Sequence, residues 1–568
     1  MKRKLLLLKI RELNRIAGLM MILAIPFSTY QSNAQCWQWA VNFGGTSLET
    51  TTSMAVGPDG LTAVTGEFMG TAIIGGDTLT ASAGRDVFTA ILDSNGLVLK
   101  AMGGVGDGVE NIGNGVAQDA NGNIFVTGNF TGTITFGDVP LVSAGLGDIF
   151  IVKYDASGNL LWAKRAGGGS EIWAHDIAVD PTGNCYIIGE FYDSAGFDNQ
   201  GVLSTFALDV FTAKYDPDGN ALWAASCGSN SSDLGYGIAA DDLGNVYIAG
   251  YFQSEFIFNN IPYNTLGNRD GFVAKYDAAG NPLWATVGGG SRNEHFYKIA
   301  VDGDGNNIYV TGDFESDSIF VDGITLINKN SAGIRYDILL MNFDAAGVAQ
   351  WGIRAGAMEH DYANDVTVDD NGDVYITGTF NDTIVFENTT LINDDGDFYI
   401  AKYNNSGTGL WAKSSTYNSA GAASNSISTF KNRPLIAGDF VAGPAPPIVV
   451  FDNDTLISNG SRDAFVSKIG PPCNSNPTGI EDHIDNALSW GVFPNPFNDR
   501  LNIQVDDKAQ GSIDLKLYSL HGGLVFSERY SGYENIALST DHLPSGIYVL
   551  QLRTSDSIQS IRMVKMVK

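Results

Sequence analysis

Basic residues are scarce in this chain, with 33 lysines and arginines against 63 aspartates and glutamates in 568 residues. The formal net charge is −30 at pH 7. Proteins that bind nucleic acid or anionic lipid neutralise phosphates with lysine and arginine, so the shortage of these residues excludes both as partners. An acidic surface of this kind favours high solubility.

Cysteine and histidine are also rare, with four Cys and six His. The H-E-x-x-H, G-x-S-x-G and Cys-x-x-Cys patterns are absent. We therefore assign no catalytic and no cofactor-binding residue, and we leave enzymatic activity open. His175, His295 and His360 precede predicted strands and are predicted to be solvated or hydrogen-bonded loop residues.

Long hydrophobic runs are missing after the first 34 residues. Residues 1–34 combine a basic start, an apolar stretch too short to span a bilayer, and small residues at Ser32 and Ala34. This pattern predicts a secretory signal peptide cleaved after Ala34. Lipidation of Cys36 is disfavoured, because Gln35 stands where a small residue is needed.

A repeat of about 60 residues fills residues 35–470. One unit reads IAVDPTGNCYIIGEF and then DVFTAKYDPDGNALW, which are two hairpins whose turns are built from Asp, Gly and Asn. Four short strands per unit with an aromatic marker are typical of a propeller blade. The marker tryptophans, which we expect to pack between blades, are Trp39, Trp162, Trp223, Trp284, Trp351 and Trp411.

First strands occur seven times, which predicts a seven-bladed all-β propeller. The last unit lacks its fourth strand, and CWQWAVNFGG after the signal peptide is a fourth strand without a preceding three. We expect this N-terminal strand to close the last blade, because closure removes two exposed edges.

The cysteines test this closure. The register of Lys153 opposite Trp162, transferred to Lys468 and Trp39, places Cys36 beside Cys473. A disulfide between these two cysteines is predicted, since an exported protein meets oxidising conditions. Cys185 and Cys227 fall on different strands of one blade and are expected to be two buried thiols.

The repeat resembles the bacterial β-propeller repeats of the SBBP type. The resemblance covers about residues 36–470 and implies a seven-bladed propeller. That family carries no single activity.

The acidity belongs to the repeats, because residues 488–568 carry eight basic and eight acidic side chains. This tail follows a Pro/Asn/Gly linker at 471–487 and alternates apolar and polar residues over short runs. The alternation predicts a small Ig-like antiparallel β-sandwich.

The tail resembles the type A C-terminal sorting domain of type IX secretion. The residues that carry the resemblance are Pro494, Asn495, Pro496, Gly546, Tyr548, Lys565 and Lys568. It implies export across the outer membrane of a Gram-negative cell with the type IX machinery as partner. It also implies removal of the tail and a product that is released or attached to the cell surface. A plain Ig-like adhesion module is the alternative.

Acidic residues recur just ahead of six first strands: Glu49, Glu110, Glu171, Asp233, Glu294 and Glu359. One interpretation is a ring of carboxylates around the pore mouth that holds Ca²⁺. The other is that each carboxylate accepts backbone N–H groups within its own blade. Aromatic residues on the same stretches, including Tyr236, Tyr297 and Tyr362, would give the mouth a surface suited to a sugar or a cationic peptide.

Three functions remain open. The first is an exported binding or interaction protein, a monomer whose extracellular ligand is a glycan or a protein. The second is a secreted polysaccharide lyase or glycosidase with mouth carboxylates as acid and base. The third is a passive surface scaffold.

Overall fold

The computed structural model describes residues 35–204, 207–329, 335–387, 389–415, 417–418, 421–441, 448–452, 454–458, 460–472, 490–493, 500–505, 512–519, 524–531, 536–541, 543, 546–553 and 558–565. These residues form strands and turns without any helix. Accordingly, this part of the chain contains no helix long and apolar enough to cross a bilayer. The predictions that concern residues outside the described ranges are those of the signal peptide 1–34, nearly all of the linker, Cys473, Pro494, Asn495, Pro496 and Lys568.

The chain divides into two compact units, one that ends at Asn474 and one that begins at Ser475. In the first unit the strands up to residue 166 are β1 (Gln35–Gly45), β2 (Glu49–Val56), β3 (Thr62–Ile74), β4 (Asp77–Leu92), β5 (Val98–Gly106), β6 (Ile112–Gln118), β7 (Ile124–Phe130), β8 (Thr133–Phe136), β9 (Val139–Val142), β10 (Asp148–Tyr154) and β11 (Leu160–Ala166). The strands of residues 172–289 are β12 (Ile172–Val179), β13 (Cys185–Phe191), β14 (Ser194–Phe197), β15 (Gln200–Leu203), β16 (Asp209–Tyr215), β17 (Ala221–Cys227), β18 (Leu234–Ala240), β19 (Val246–Phe258), β20 (Ile261–Tyr276) and β21 (Pro282–Gly289).

The remaining strands of the first unit are β22 (Glu294–Val301), β23 (Asn307–Phe314), β24 (Ser318–Val321), β25 (Ile324–Ile327), β26 (Asp337–Asp344), β27 (Ala349–Ala355), β28 (Tyr362–Val368), β29 (Val374–Phe386), β30 (Thr389–Tyr403), β31 (Gly409–Ser414), β32 (Tyr417–Asn418), β33 (Ala422–Phe430), β34 (Arg433–Val441), β35 (Ile448–Phe451), β36 (Asp454–Ile457) and β37 (Arg462–Pro472). Those of the second unit are β38 (Trp490–Phe493), β39 (Arg500–Val505), β40 (Ser512–Ser519), β41 (Leu524–Ser531), β42 (Ile536–Ser539), β43 (Gly546–Arg553) and β44 (Ile558–Lys565).

The first unit is a propeller-like series of antiparallel groups of four strands. In chain order the groups are β2-β3-β4-β5, β6-β7-β10-β11, β12-β13-β16-β17, β18-β19-β20-β21, β22-β23-β26-β27, β28-β29-β30-β31 and β33-β34-β37-β1. The first strand of each group contacts the first strand of the next, and β33 contacts β2. The first strands therefore form a closed ring.

Strand β1 supplies the fourth strand of the last group. Trp39 lies opposite Lys468, which is the register that Trp162 and Lys153 have in an unbroken group. Gln35 lies opposite Pro472, the last described residue before Cys473. The pairing of Cys36 with Cys473 stays a prediction, because Cys473 is outside the described residues. Cys185 and Cys227 are free and buried.

The apolar core is divided into clusters that lie between successive groups. Phe125 and Ile151 of one group pack with Ile187 and Phe211 of the next, and Val466 of the last group packs with Val64 of the first. Second and third strands are covered on both faces, so they read as continuous apolar runs rather than as alternating ones.

Five of the six marker tryptophans donate a hydrogen bond to the turn of the following group: Trp39, Trp162, Trp223, Trp284 and Trp351. The indole Nε1 of Trp162 donates to the carbonyl of Pro217 over 3.1 Å, and that of Trp223 donates to Ala278 over 3.2 Å. Trp39 reaches Ser94 in the first group in the same way. Each such contact joins two groups, and the one from Trp39 joins the last group to the first.

The second unit contains two sheets, ordered β38-β39-β42 and β41-β40-β43-β44. Leu501 and Ile503 of one sheet share an apolar cluster with Leu517 and Leu550 of the other. Tyr548 is buried in this cluster. Lys565 lies opposite Gly546 and donates through Nζ to the carbonyl of Thr540.

Candidate functional site

The first strand of every four-stranded group contains one bulged residue. Pairing with the second strand skips this residue, as it does between Ala174 and Asp176. The bulged residues are Thr52, Asn114, His175, Tyr236, Tyr297, Asn364 and Asn425. A bulge reorients a side chain relative to the pleat, so the ring of first strands presents one reoriented side chain per group.

Six of these bulged residues line a cavity of about 360 Å³. The described residues around it are Thr52, Asn114, His175, Tyr236, Tyr297, Lys298, Tyr362, Ala363, Asn364 and Thr379. We call this space the mouth cavity. It is made by several groups together, so it exists only because the first strands form a ring.

Aromatic rings continue from the cavity wall into an arc across neighbouring groups. His175 and Tyr236 have ring centroids 4.6 Å apart, and Tyr236 lies 5.5 Å from Tyr297. Further members stack beside them: Tyr251, His295, Tyr336, His360 and Tyr362. We call these eight residues the aromatic arc.

The arc corrects the interpretation of the histidines. His175 and His295 lie inside strands β12 and β22 rather than on loops, and His295 is only 5% exposed. The predicted loop position is therefore wrong for His175 and His295, whereas the predicted hydrogen bond is present at His295, whose Nδ1 lies 2.8 Å from Oδ1 of Asp313. Tyr251 and Tyr336 were missed, although Tyr251 stands at a repeated position of the second strand that a repeat-by-repeat alignment marks.

That second-strand position is polar in most groups. It is occupied by Glu67, Asn129, Glu190, Tyr251, Asp313, Thr379 and Asp439. Each acidic member has a basic or imidazole partner. These pairs are Glu67 with Arg85 at 2.9 Å, Glu190 with His175 at 2.6 Å, Asp313 with His295 at 2.8 Å, and Asp439 with Arg462 at 2.9 Å.

A lysine closes the floor of the mouth cavity. Lys298 follows the bulged Tyr297, and its Nζ lies 2.8 Å from Oδ2 of Asp176. Asp365 also faces this ammonium group, and it accepts hydrogen bonds from Ser426 and Ile427. Lys298 also lines a second cavity of about 270 Å³. The charged cluster thus lies where the two cavities meet.

The six acidic candidates occupy two different kinds of position. Glu49, Asp233 and Glu294 are fully buried. Each accepts the backbone N–H of the residue four positions earlier, for example Gly45 to Glu49 over 3.0 Å and Gly290 to Glu294 over 2.9 Å. Burial raises the pKa of Glu49 and Asp233 to about 8 and that of Glu294 to about 7. These carboxyl groups hold turns within the fold.

The other three candidates do not share this position. Glu110 and Glu171 are exposed, and Glu359 pairs at the surface with Arg335 over 3.2 Å. In the group of Glu359 the buried turn-holding acid is Asp361, which accepts the N–H of Ala357 over 3.0 Å. The six residues therefore do not occupy equivalent positions, because sequence spacing misplaces these three by one or two residues. Ca²⁺ binding stays one of the two interpretations. Among the described residues, no group of three His, Cys, Asp or Glu side chains is arranged to hold a metal ion.

Two family models match the chain. The secretion system C-terminal sorting domain matches residues 491–566, and the beta-propeller repeat of the SBBP type matches residues 225–251. The chain therefore carries the sorting domain that marks proteins exported by type IX secretion and either attached to the cell surface or secreted. This domain implies an interaction with the secretion machinery.

Two relatives match this chain over part of their length. An uncharacterized WD repeat-containing protein of Acanthamoeba polyphaga mimivirus is 25% identical over 490 residues, which are 69% of this chain and 34% of that protein. The regulatory protein FlaEY of Caulobacter vibrioides is 25% identical over 167 residues, which are 28% of this chain and 17% of that protein. The chain thus spans about a third or less of each relative.

Solved structures overlap the chain at low scores. A fungal alcohol oxidase in complex with copper has a TM-score of 0.29 at 12% identity and covers 94% of this chain and 100% of its own. A puromycin hydrolase mutant has a TM-score of 0.29 at 10% identity, covering 70% of this chain and 60% of its own. Dimeric latent PorU from Porphyromonas gingivalis has a TM-score of 0.13 at 8% identity, covering 67% of this chain and 34% of its own. We draw no conclusion from these overlaps.

Proposed function

We propose that the protein is an exported β-propeller that binds an extracellular ligand in its mouth cavity. Export rests on the sorting domain. The binding role is supported by the aromatic arc, which places partly exposed rings of several groups around one concave space. Concave sites with aromatic walls and a few polar groups are typical of ligand binding.

The propeller that we propose has seven blades. In the described residues there are seven four-stranded groups, and their first strands contact each other in a closed cycle. Closure through β1 leaves no group with three strands. A count of seven also agrees with the seven bulged residues, one from each group.

For the second unit we propose an Ig-like sandwich that acts as the sorting module. Its two described sheets share one apolar cluster, which supports a sandwich. Lys565 is the last described residue of β44, and its Nζ donates a hydrogen bond to the carbonyl of Thr540. This contact supports a structural role for one of the residues that carry the resemblance to the sorting domain.

The positions of Glu171 and Glu294 do not support the lyase or glycosidase alternative, which used them as acid and base. Glu294 holds a turn from a buried position, and Glu171 is exposed at a position that differs from it. The acidic groups on the second strands of the mouth are engaged by Arg or His. A glycosidase needs a pair of available carboxyl groups that flank the scissile bond. The described mouth residues supply no such pair.

The binding role is tested with a microarray that carries both glycans and peptides. The exported protein and its variant Tyr236→Leu/Tyr297→Leu are applied in parallel, because leucine keeps apolar volume while it removes the rings. We expect a ligand that binds the wild-type protein and loses its signal with the variant.

A control variant, Phe320→Ala, removes an exposed aromatic ring from strand β24, away from the cavity lining. It should bind like the wild type. Equal binding by the wild type and the tyrosine variant would place the binding site elsewhere and contradict the proposal. Absence of any binding would favour a passive scaffold.

A further inference from the structure

We infer that the ligand of the mouth cavity is a neutral carbohydrate. This inference rests on the proposed binding function and narrows it to one chemical class. A cationic peptide is the competing class, and the charges around the cavity decide between the two.

The acidic side chains of the mouth are already engaged within the protein. Glu190 and Asp313 lie against His175 and His295 at 2.6 and 2.8 Å. Glu67 is held by Arg85 and Asp439 by Arg462. A cationic ligand would have to displace these partners. The acidic side chains of the second strands thus have partners within the protein, in a chain whose net charge is −30.

Cationic side chains of the protein already occupy the positions that a ligand ammonium group would favour. The guanidinium of Arg269 lies 4.8 Å from the ring centroid of Tyr251, so this face of the arc has its cation–π partner. The ammonium of Lys298 lines the floor of the cavity. Asp176 and Asp365 face this ammonium group, so these two carboxylates are also engaged within the protein.

The polar groups of the wall suit hydroxyl groups. The side-chain amide of Asn114 donates to Asn129 and to the carbonyl of Ala174, both over 2.7 Å. With its N–H groups committed, this amide offers its oxygen as an acceptor. Asn364 likewise donates to Ser424. Tyrosine hydroxyls add groups that both donate and accept, and burial raises the pKa of Tyr236 and Tyr297, so they remain neutral phenols.

The rings supply an apolar platform between these polar groups. Tyr236, Tyr297 and Tyr362 are each only partly buried and line the cavity. A pyranose has an apolar face of C–H groups and a polar rim of hydroxyls. It can therefore lie on the rings while its rim meets the asparagine oxygens. Lys298 is paired with Asp176, so the described lining of the cavity offers no unpaired charge to a ligand, which favours a neutral sugar over an acidic one.

Isothermal titration of the exported protein with neutral hexasaccharides tests the inference. The probes are cellohexaose, xylohexaose and mannohexaose, with octalysine as the cationic probe. We expect at least one hexasaccharide to bind and octalysine not to bind at the mouth. Tyr297→Leu and Tyr236→Leu should each weaken binding about tenfold through the lost ring contact, and Phe320→Ala should not weaken it.

The outcomes separate the sugar class from the site itself. Octalysine binding that is lost in Tyr297→Leu, without sugar binding, would overturn the sugar class and leave the mouth as a binding site. Sugar binding unchanged in both tyrosine variants would overturn the mouth as the site. Binding of none of the four probes would overturn the neutral-sugar assignment. In that case the microarray decides whether the binding role survives. Melting curves of both variants establish that they are folded.

Discussion

At the scale of single residues, one aspartate shapes the turn between third and fourth strands in the first five groups, and Asn404 takes its place in the sixth. Asp216 accepts the N–H of Asp218 over 3.0 Å and of Asn220 over 2.8 Å, and it accepts the Asn220 side-chain amide over 2.9 Å. The sequence motif D-x-x-G-N is therefore a hydrogen-bonded turn. Trp162 of the preceding group packs on Gly219 and donates to Pro217. The turn and the tryptophan recur together because each completes the other across two groups.

Buried acids make stability depend on pH. Desolvation by burial is the main cause that raises the pKa of Asp361 to about 8 from its usual value of 3.8, and Asp337 adds to the effect. Between these pH values the folded state binds more protons than the unfolded state, so the free energy of unfolding falls as pH rises. The raised pKa values of Glu49 and Asp233 also make the free energy of unfolding fall as pH rises.

We predict that Asp361→Asn removes part of this fall in the free energy of unfolding at high pH. The amide oxygen still accepts the N–H of Ala357, and no charge is buried at high pH. The advantage of the variant over the wild type should be larger at pH 8.5 than at pH 5 by about 1–3 kcal/mol, because the wild type loses further stability as pH rises between these two values. Differential scanning calorimetry at both pH values measures this difference. Asp218→Asn, at an exposed turn position, is the control and should show no such pH dependence. Equal stabilisation at both pH values would refute the assignment.

At the scale of elements, inserted hairpins fasten neighbouring groups. Strand β8 pairs with β5 of the preceding group, and β24 pairs with β21. The far end of β3 pairs with β1 in the same manner. An outermost strand would otherwise present an unpaired edge, and each of these contacts covers part of such an edge.

Glycines in the turns distinguish two free-energy costs of substitution, which are backbone strain and lost side-chain packing. Gly219 has φ +80° and a Cβ added there would lie 3.0 Å from the Trp162 ring, whereas Gly323 has φ +89° with nothing within 4 Å. Gly76 has neither constraint. We predict that Gly76→Ala is nearly neutral and that Gly323→Ala costs about 1 kcal/mol from backbone strain. Gly219→Ala should cost more, because the tryptophan contact is lost as well. Urea unfolding measures all three, and equal costs for Gly219→Ala and Gly323→Ala would contradict the packing role.

At the scale of the whole molecule, closure depends on two chain ends that are far apart in sequence. Strand β1 pairs with β37 from Gln35 to Phe43. Its Trp39 also donates a hydrogen bond to the carbonyl of Ser94, so the strand contacts both the last and the first group. Removal of this strand would open the ring and expose the edges of two groups.

We predict a disulfide between Cys36 and Cys473 that locks this closure. Of the four cysteines, Cys185 and Cys227 are free and buried, which supports Cys473 as the partner of Cys36. A loop of this length gives on the order of 5 kcal/mol in chain-entropy estimates. Peptide mapping of the exported protein should find the linked pair. Cys36→Ser and Cys473→Ser should lower Tm equally, and the double variant should lower it no further. Additive losses would show that the two cysteines act independently.

The sequence by itself determined the elements that depend on neighbours in the chain. The turns and the four-strand repeat follow from local chemistry that each unit repeats. The Trp39–Lys468 register follows when the register of an unbroken unit is transferred to the last one, and the sorting domain follows from its own motifs. The mouth was decided by the tertiary structure. Its residues lie about one repeat apart, and the bulges that reorient them appear only in paired strands. Burial likewise separated Glu294 from Glu171, because a shift of one residue along a strand exchanges its covered and open faces.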